Sequence, residues 1–285
     1  MKLKPHRFID SLRIFIPLIM GPYILLGCAS KFASPNGSLL RSLEDGKYDY
    51  NNFLLIPETA SVERVAASLL FLRTHIELKG KTDEKVVQLD LNGIGIVLYD
   101  RYILTLSHVV SQDKIVTQTP FGPFIEPAEI LREETYLIHE GEEKELKRIL
   151  NNPEEDIAIF ELPRGLKLNS FPYSIGNSDE LRVGNFVYVI GNPANAGINV
   201  REGIISSLNY NGKIPSLINF GNSFMVSNGV NPGDSGIPVV ALRDGRFELV
   251  GLAQGTMLQT QKLGWAVRIN RALKLISEII EVKPK

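Results

Sequence analysis

Ser235 stands in "VNPGDSGIPVV" (230–240), between Asp234 and Gly236 and directly ahead of an apolar run. A serine hydroxyl attacks a carbonyl only when a base takes its proton, and that base needs a third group to fix its tautomer and stabilise its cation. The chain offers four histidines, at 6, 75, 108 and 139. His108 lies in "ILTLSHVV" (103–110), where an apolar strand runs into small residues and a ring can project from the strand end. His75 sits within a strand-like run, His139 in a charged stretch and His6 in the basic N-terminus. Asp156 opens "DIAIFEL" (156–162), an aspartate at the mouth of an alternating strand. Each has a plain reading by itself, because histidines are mostly structural and aspartates commonly start strands as turn residues. Together, in the order His, Asp, Ser, they form the set that nucleophilic acyl transfer requires.

The elements that must position these residues read mainly as strands. Runs at 68–78, 93–99, 102–110, 156–162, 185–191, 203–210 and 247–255 are short, rich in β-branched and aromatic residues, and separated by Gly, Asn, Asp and Pro. Many short strands with few helical stretches predict barrels or a sandwich. Two helices are expected, a charged one over 142–150 and an amphipathic one over 271–280 with Asn270 as its cap. Composition agrees with a globular protein, with 44% hydrophobic and 22% charged residues in 285. A net charge of −1 gives no bias toward nucleic acid, and one cysteine with four histidines builds no zinc site. Neither a metal nor another cofactor is expected.

The N-terminus is a separate matter. Lys2, Lys4, Arg7 and Arg13 precede an apolar run over 14–27 that is too short to span a bilayer comfortably, the pattern of a secretory signal peptide. It ends in "LLGC" (25–28), which resembles the lipobox of bacterial lipoproteins, where the signal is cut before a lipid-bearing cysteine. That resemblance implies a signal over 1–27, a lipid on Cys28 and, with Ala29 rather than aspartate following it, the outer membrane facing the periplasm. Residues 28–60 are then tether. The plain alternative is a secreted protein in which Cys28 is incidental.

"TLSHVV", "DIAIFEL" and "NPGDSGIPVV", with "GIGIVLYDRYILTLSHVV" (93–110), "VGNFVYVIGNP" (183–193), "VREGIISSL" (200–208) and "GWAVRIN" (264–270), resemble the trypsin-like serine proteases, and among them the HtrA (Deg) branch. The resemblance covers roughly 65–270. It implies an all-β fold of two antiparallel six-stranded barrels, about 65–165 and 175–270, followed by a C-terminal helix over 271–281 within a domain of 61–285. His108 would be general base and acid, Asp156 its orienting partner and Ser235 the nucleophile. The N–H groups of Gly233 and Ser235 would form the oxyanion hole. Gly229 would lie at the base of the primary substrate pocket, with Ala253 and Gly255 also lining it. Partners would be protein or peptide substrates, and homo-oligomers occur among such relatives. The resemblance implies a lipid-anchored endopeptidase of the cell envelope. A catalytically idle protease-like lipoprotein that binds or scaffolds is the other reading.

Three departures carry weight. Asp234 precedes the nucleophile where the HtrA branch usually has asparagine, and a buried carboxylate there must be solvated, hydrogen-bonded or paired with a cation. Ile237 stands where a second glycine is usual, and its branched side chain threatens to narrow the leaving-group side of the cleft. The resemblance stops near residue 270, so regulation through PDZ domains is not carried over.

Overall fold

The computed structural model describes residues 46–49, 60–120, 122–191, 197–208, 222–231, 233–256 and 263–282. All of these fall in one compact unit, Leu43–Lys285. The signal segment, Cys28 and most of the expected tether lie outside the described residues.

Period-two burial builds the first sheet. In Leu69–Gly80 (β1), Leu70, Leu72, Thr74, Ile76 and Leu78 point inward while their neighbours are half-buried. Val86–Leu98 (β2) alternates over its first half, but Gly93–Leu98 is buried on both faces. That change marks where the second barrel covers it, since the Ile94 N–H donates to the carbonyl of Ser235 at 2.9 Å. The sheet continues through Tyr102–Thr105 (β3), Lys114–Thr119 (β4), Gly122–His139 (β5), Glu142–Glu145 (β6), Lys147–Asn152 (β7) and Ile157–Glu161 (β8). Its order is β4-β5-β1-β2-β3-β8-β7, with β6 on β5. Two six-stranded barrels were expected, and here the sheet instead curls without a ladder between β7 and β5. One bond, Leu146 N–H to the Thr135 carbonyl at 2.8 Å, bridges that seam.

The second sheet closes. Ser174–Ile175 (β9) adds in parallel to a barrel of Phe186–Gly191 (β10), Asn199–Ser207 (β11), Ser223–Val226 (β12), Pro238–Arg243 (β13), Arg246–Thr256 (β14) and Gly264–Arg268 (β15). The order β13-β10-β11-β12-β15-β14 returns to β13 through β13–β14 pairing. One continuous core, including Phe160, Phe224, Phe247, Ile96 and Val239, runs through both sheets.

The helix expected over 142–150 is absent, and β6 and β7 occupy that stretch. Its charges suggested a helix, but Glu140 (φ 52°) and Gly141 (φ 81°) form a two-residue turn with both residues left-handed, and His139 pairs with Glu142 across it. Such a turn matches the twist of a hairpin and commits the following residues to a strand. Asp244 (φ 51°) and Gly245 (φ 74°) do the same between β13 and β14, where Arg243 pairs with Arg246. The run expected as one strand over 102–110 breaks after Thr105 into a 3-10 turn, Ser107–Val109. The C-terminal helix is present as Ile269–Val282 (α2), after a short N-terminal helix Val62–Ala66 (α1). Asn270 lies inside its first turn rather than capping it. The Asn270 side chain brackets the loop at 177–179, accepting from the Ser178 N–H at 3.1 Å and donating to Asp179 at 2.7 Å.

Part of the expected tether is docked. Tyr48 is 4% exposed and pairs as an antiparallel bridge with Arg243, whose guanidinium stacks over its ring at 4.1 Å. The Asn177 N–H donates to the Tyr48 hydroxyl at 3.0 Å. Asp49 donates its N–H to the Leu242 carbonyl at 2.8 Å and accepts from the Phe186 N–H at 2.9 Å. Burial pushes the Tyr48 hydroxyl from 10 up to about 12. A raised pKa in the folded state gives stability that is complete below the unfolded value near 10 and is lost as pH rises through about 12. Tyr48→Ala should lower stability by about 3 kcal/mol in denaturant unfolding, as for other buried aromatics. Tyr48→Phe should lose less and should lack the wild-type decline between pH 10 and 12. Identical alkaline profiles for wild type and Tyr48→Phe would show that the clip is not what titrates.

Candidate active site

The end of β3 delivers His108. Buried Leu104 and Leu106 hold the chain while the 3-10 turn rotates the imidazole out of the sheet, leaving its side chain 25% exposed. Asp156 arrives from the same sheet, at the last position of the turn between β7 and β8. Its φ of 54° is left-handed, a conformation that aspartate tolerates better than most residues. The carboxylate is almost fully buried and accepts the backbone N–H of His108 at 2.9 Å as well as ring Nδ1 at 2.9 and 3.1 Å. With Nδ1 donating to a carboxylate, Nε2 is left as the acceptor of the neutral ring. That atom lies 2.9 Å from Ser235 Oγ. The three residues singled out in the sequence therefore meet in one hydrogen-bonded line across both sheets.

Ser235 sits on a turn in which two glycines adopt positive φ, Gly233 at 91° and Gly236 at 90°. Gly236 has a second reason to be glycine, because a Cβ there would run into the carbonyl oxygen of Ile94 on β2. The turn is braced from β14, with Gly236 N–H donating to the Ala253 carbonyl and Ala253 N–H donating to the Ile237 carbonyl, both at 2.8 Å. Ala253, expected in the substrate pocket, is fully buried and holds the Ser235 turn from behind. Among the described residues, neither the N–H of Gly233 nor that of Ser235 has a backbone acceptor. Gly229 (φ 70°) and Gly255 are half-buried, and Gly255 pairs with Trp265 of β15. Ile237 is fully buried and faces Gly191, whose missing Cβ leaves the room that the branched side chain fills. Its side chain is turned into the core rather than into the cleft.

Asp234 is fully buried, and its partner is a cation from β11: Arg201 Nη1 lies 2.7 Å from Asp234 Oδ2. The contact is an ion pair without the alignment of an N–H···O hydrogen bond. The same carboxylate oxygen accepts the Asn231 N–H at 2.5 Å, and the Asp234 N–H returns to the Asn231 carbonyl at 3.0 Å. The turn that carries Ser235 is thus pinned by a charge pair internal to the second barrel.

Two further side chains were not legible in the sequence. Gln254 is fully buried and donates Nε2 to Asp156 Oδ2 at 2.8 Å, and Ser223 Oγ donates to Gln254 Oε1 at 2.6 Å. Beside His108 and Asp156 opens a cleft of about 450 Å³, lined by Ser111, Gln112, Lys114, Ile130, Asn151 and Pro153. Among the described residues no group of three or more His, Cys, Asp or Glu side chains is placed to hold a metal.

Comparison with known proteins agrees with this geometry. A family model described as a trypsin-like peptidase domain matches residues 93–252. A probable periplasmic serine endoprotease, DegP-like, of Buchnera aphidicola is 32% identical over 197 residues, covering 66% of this chain and 36% of the relative. The periplasmic pH-dependent serine endoprotease DegQ of Escherichia coli is 28% identical over 195 residues, covering 67% and 37%. The chain thus spans little more than a third of the length of these curated relatives. Among solved structures, the HtrA-type protease AlgW with decapeptide is similar at a TM-score of 0.53 and 22% identity, over 82% of this chain and 68% of that one, a likeness of fold. Since the family model covers more than half of the chain and takes in His108, Asp156 and Ser235, the chain belongs to the trypsin-like peptidase domain family.

Proposed function

We propose that the protein is a serine endopeptidase of the cell envelope, and the observation that carries this is the 2.9 Å contact of His108 Nε2 with Ser235 Oγ. Ser235 Oγ attacks the scissile carbonyl carbon as His108 Nε2 takes its proton. Asp156 holds the ring through Nδ1–H and stabilises the imidazolium without itself taking the proton. The carbonyl oxygen, now an oxyanion, is held by the N–H groups of Gly233 and Ser235, each such donor contributing about 3 kcal/mol in comparable enzymes. His108 then protonates the leaving amine, and water repeats the sequence on the acyl-enzyme.

The relatives named periplasmic endoproteases support peptide and protein substrates and an envelope location. Misfolded or envelope proteins are the proposed substrates, and the lipid on Cys28, with attachment to the outer membrane, belongs to the same proposal. The idle-scaffold reading has no observation in its favour, since Ile237 leaves the cleft open and nothing in binding requires the full hydrogen-bonded line.

Ser235→Ala should abolish both turnover of a casein-type substrate and labelling by a fluorophosphonate, with the unfolding midpoint unchanged. The loss should be at least about 10⁴-fold. Turnover near wild type in that variant would refute the assignment.

Because Arg201 and Asp234 pair inside one barrel, turnover should be independent of the chain's N-terminus. Proteins starting at residues 29 and 46 should have equal kcat, and an activity that appeared only after cleavage to one particular N-terminus would contradict this. Arg201→Met should destabilise by about 3–5 kcal/mol, because it strands a buried carboxylate. Adding Asp234→Asn to it should recover much of that loss.

Gly229 brings no charge to the primary pocket. Peptide-library cleavage should favour small or aliphatic side chains before the scissile bond, since an unpaired charge is costly to desolvate. A profile dominated by Arg, Lys or Glu would show that a charged group elsewhere reaches the pocket.

A further inference from the structure

The first sheet ends in a strand that pairs on one side only. β4 is the terminal strand of the order β4-β5-β1-β2-β3-β8-β7, and among the described residues β5 is its one ladder partner. In an antiparallel ladder, alternate residues turn both N–H and C=O toward the neighbour, and the residues between turn both away. The Ala128 N–H donates to the Asp113 carbonyl at 2.8 Å, so counting along the register makes Ile115, Thr117 and Thr119 the residues bonded to β5. Pro127 and Pro123 agree with this phase, since they face Lys114 and Gln118, where no N–H is needed. Lys114 and Val116 therefore turn their backbone groups outward. The Lys114 carbonyl accepts the Gln112 side-chain amide at 2.6 Å. Among the described residues, the Val116 N–H and C=O have no partner.

The edge is also undefended. Sheets usually blunt a free edge with charges, proline or a bulge, whereas "KIVTQT" (114–119) has one charge, at its start. Val116 is 37% exposed, and Ile125, its partner on β5, is 46% exposed. Beside the edge lies a cavity of about 380 Å³ that includes Val87 and Leu89 of β2 and Ile115, Val116 and Thr117 of β4 in its lining. Its floor is apolar, because Leu89 and Ile115 pack on Ile76, Leu78 and Ala128, a small core separate from the main one. Gln112 lines both this cavity and the cleft beside His108, and Lys114, the first residue of β4, lines the cleft as well. The cleft thus opens onto an unpaired strand edge.

We propose that the free edge of β4 is a second contact site for the polypeptide being cleaved: an extended segment on one side of the scissile bond adds to β4 as a strand, bonds the Val116 N–H and C=O, and sets aliphatic side chains at alternate positions into the cavity. This rests on the endopeptidase reading above. Continuity with the cleft selects this occupant over a second copy of the chain, because a strand leaving the cleft past Gln112 reaches Val116 within about 13 Å at ~3.3 Å per residue. Strand addition takes its affinity from the main chain and its selectivity from alternate side chains. The site therefore favours extended, aliphatic, proline-free stretches and leaves short peptides, which end before the edge, unaffected.

The test uses Val116→Pro, which removes the outward N–H at a position where the β5 ladder needs none, and Val116→Thr, which keeps it. Against a chromogenic peptide of about four residues, too short to reach the edge, both variants should match wild type. Against unfolded casein, Val116→Pro should raise KM by about 3- to 10-fold, the equivalent of one lost hydrogen bond, with kcat unchanged. Val116→Thr should stay within about twofold of wild type. Binding is read separately in a Ser235→Ala background, by fluorescence anisotropy of a labelled peptide of about 12 residues in which valine alternates with serine. Adding Val116→Pro should weaken its Kd by about 3- to 10-fold. N-methylation of single peptide amides should weaken binding to the unaltered edge, a result that holds even if Val116→Pro folds poorly. This measurement needs no turnover, so it tests the edge even if the endopeptidase reading fails. A casein KM and a peptide Kd that Val116→Pro leaves unchanged, or a loss shared equally by the short peptide or by Val116→Thr, would overturn the proposal. Self-association that Val116→Pro abolishes without altering the casein KM would also overturn it, giving the edge to a second copy.

Discussion

The close approach at Gly236 is the constraint on which the site depends. A backbone with φ of 90° lies so near the Ile94 carbonyl that no side chain fits between them, and one residue earlier the Ser235 carbonyl takes the Ile94 N–H. Thr105 Oγ1 closes the arrangement by donating to the same Ile94 carbonyl at 2.7 Å. The Ser235 turn of the second barrel is therefore bonded to β2 of the first sheet, one strand away from the β3 end that presents His108. Barrel contact and reactive geometry are one set of bonds, which is why a glycine in this turn is a structural requirement before it is a chemical one.

Around that contact the two halves divide the work unequally. The first sheet, open at its seam, presents His108 and Asp156 from turns at strand ends. The closed barrel presents Ser235 and the frame around it, with β14 bracing Ser235 through Ala253 and touching Asp156 through Gln254. A closed ladder has no free edge, which suits the half that carries the Ser235 turn and its flanking N–H groups. Arg201 extends the logic: a charge pair fully inside that frame fixes the turn without calling on a distant chain segment.

His108, Asp156 and Ser235 were legible because the chemistry restricts residue type and because each closes or opens an apolar strand that periodicity reveals. The β-rich architecture was legible from the short β-branched runs, although β4, β5, β9, β12 and β15 were not separately read and the open seam of the first sheet was not foreseen. Gln254 and Arg201 were not legible, since each is an ordinary strand residue whose partner is set by barrel closure rather than by spacing. Tyr48 was missed for a related reason: nothing local distinguishes an aromatic in a polar linker until Arg243 and Asn177 are brought beside it. The 142–150 helix went wrong at Glu140-Gly141, a turn signal outweighed by a charged composition that suits a solvated helix and a solvated hairpin equally.

The left-handed backbone at Asp156 narrows what descent with modification can do there. That conformation favours Gly, Asn and Asp, while holding an imidazolium calls for an acid, and the two requirements share a single member. Glutamate meets the second and fails the first. Asparagine meets the first, keeps an oxygen for the His108 N–H, and brings no charge, so under the proposed mechanism a lineage drifting to it would retain fold, cleft and Ser235 while its turnover collapsed. Silenced descendants of this architecture would be nearly indistinguishable in shape from working ones, and the identity of one residue at a turn would be the trace that separates them.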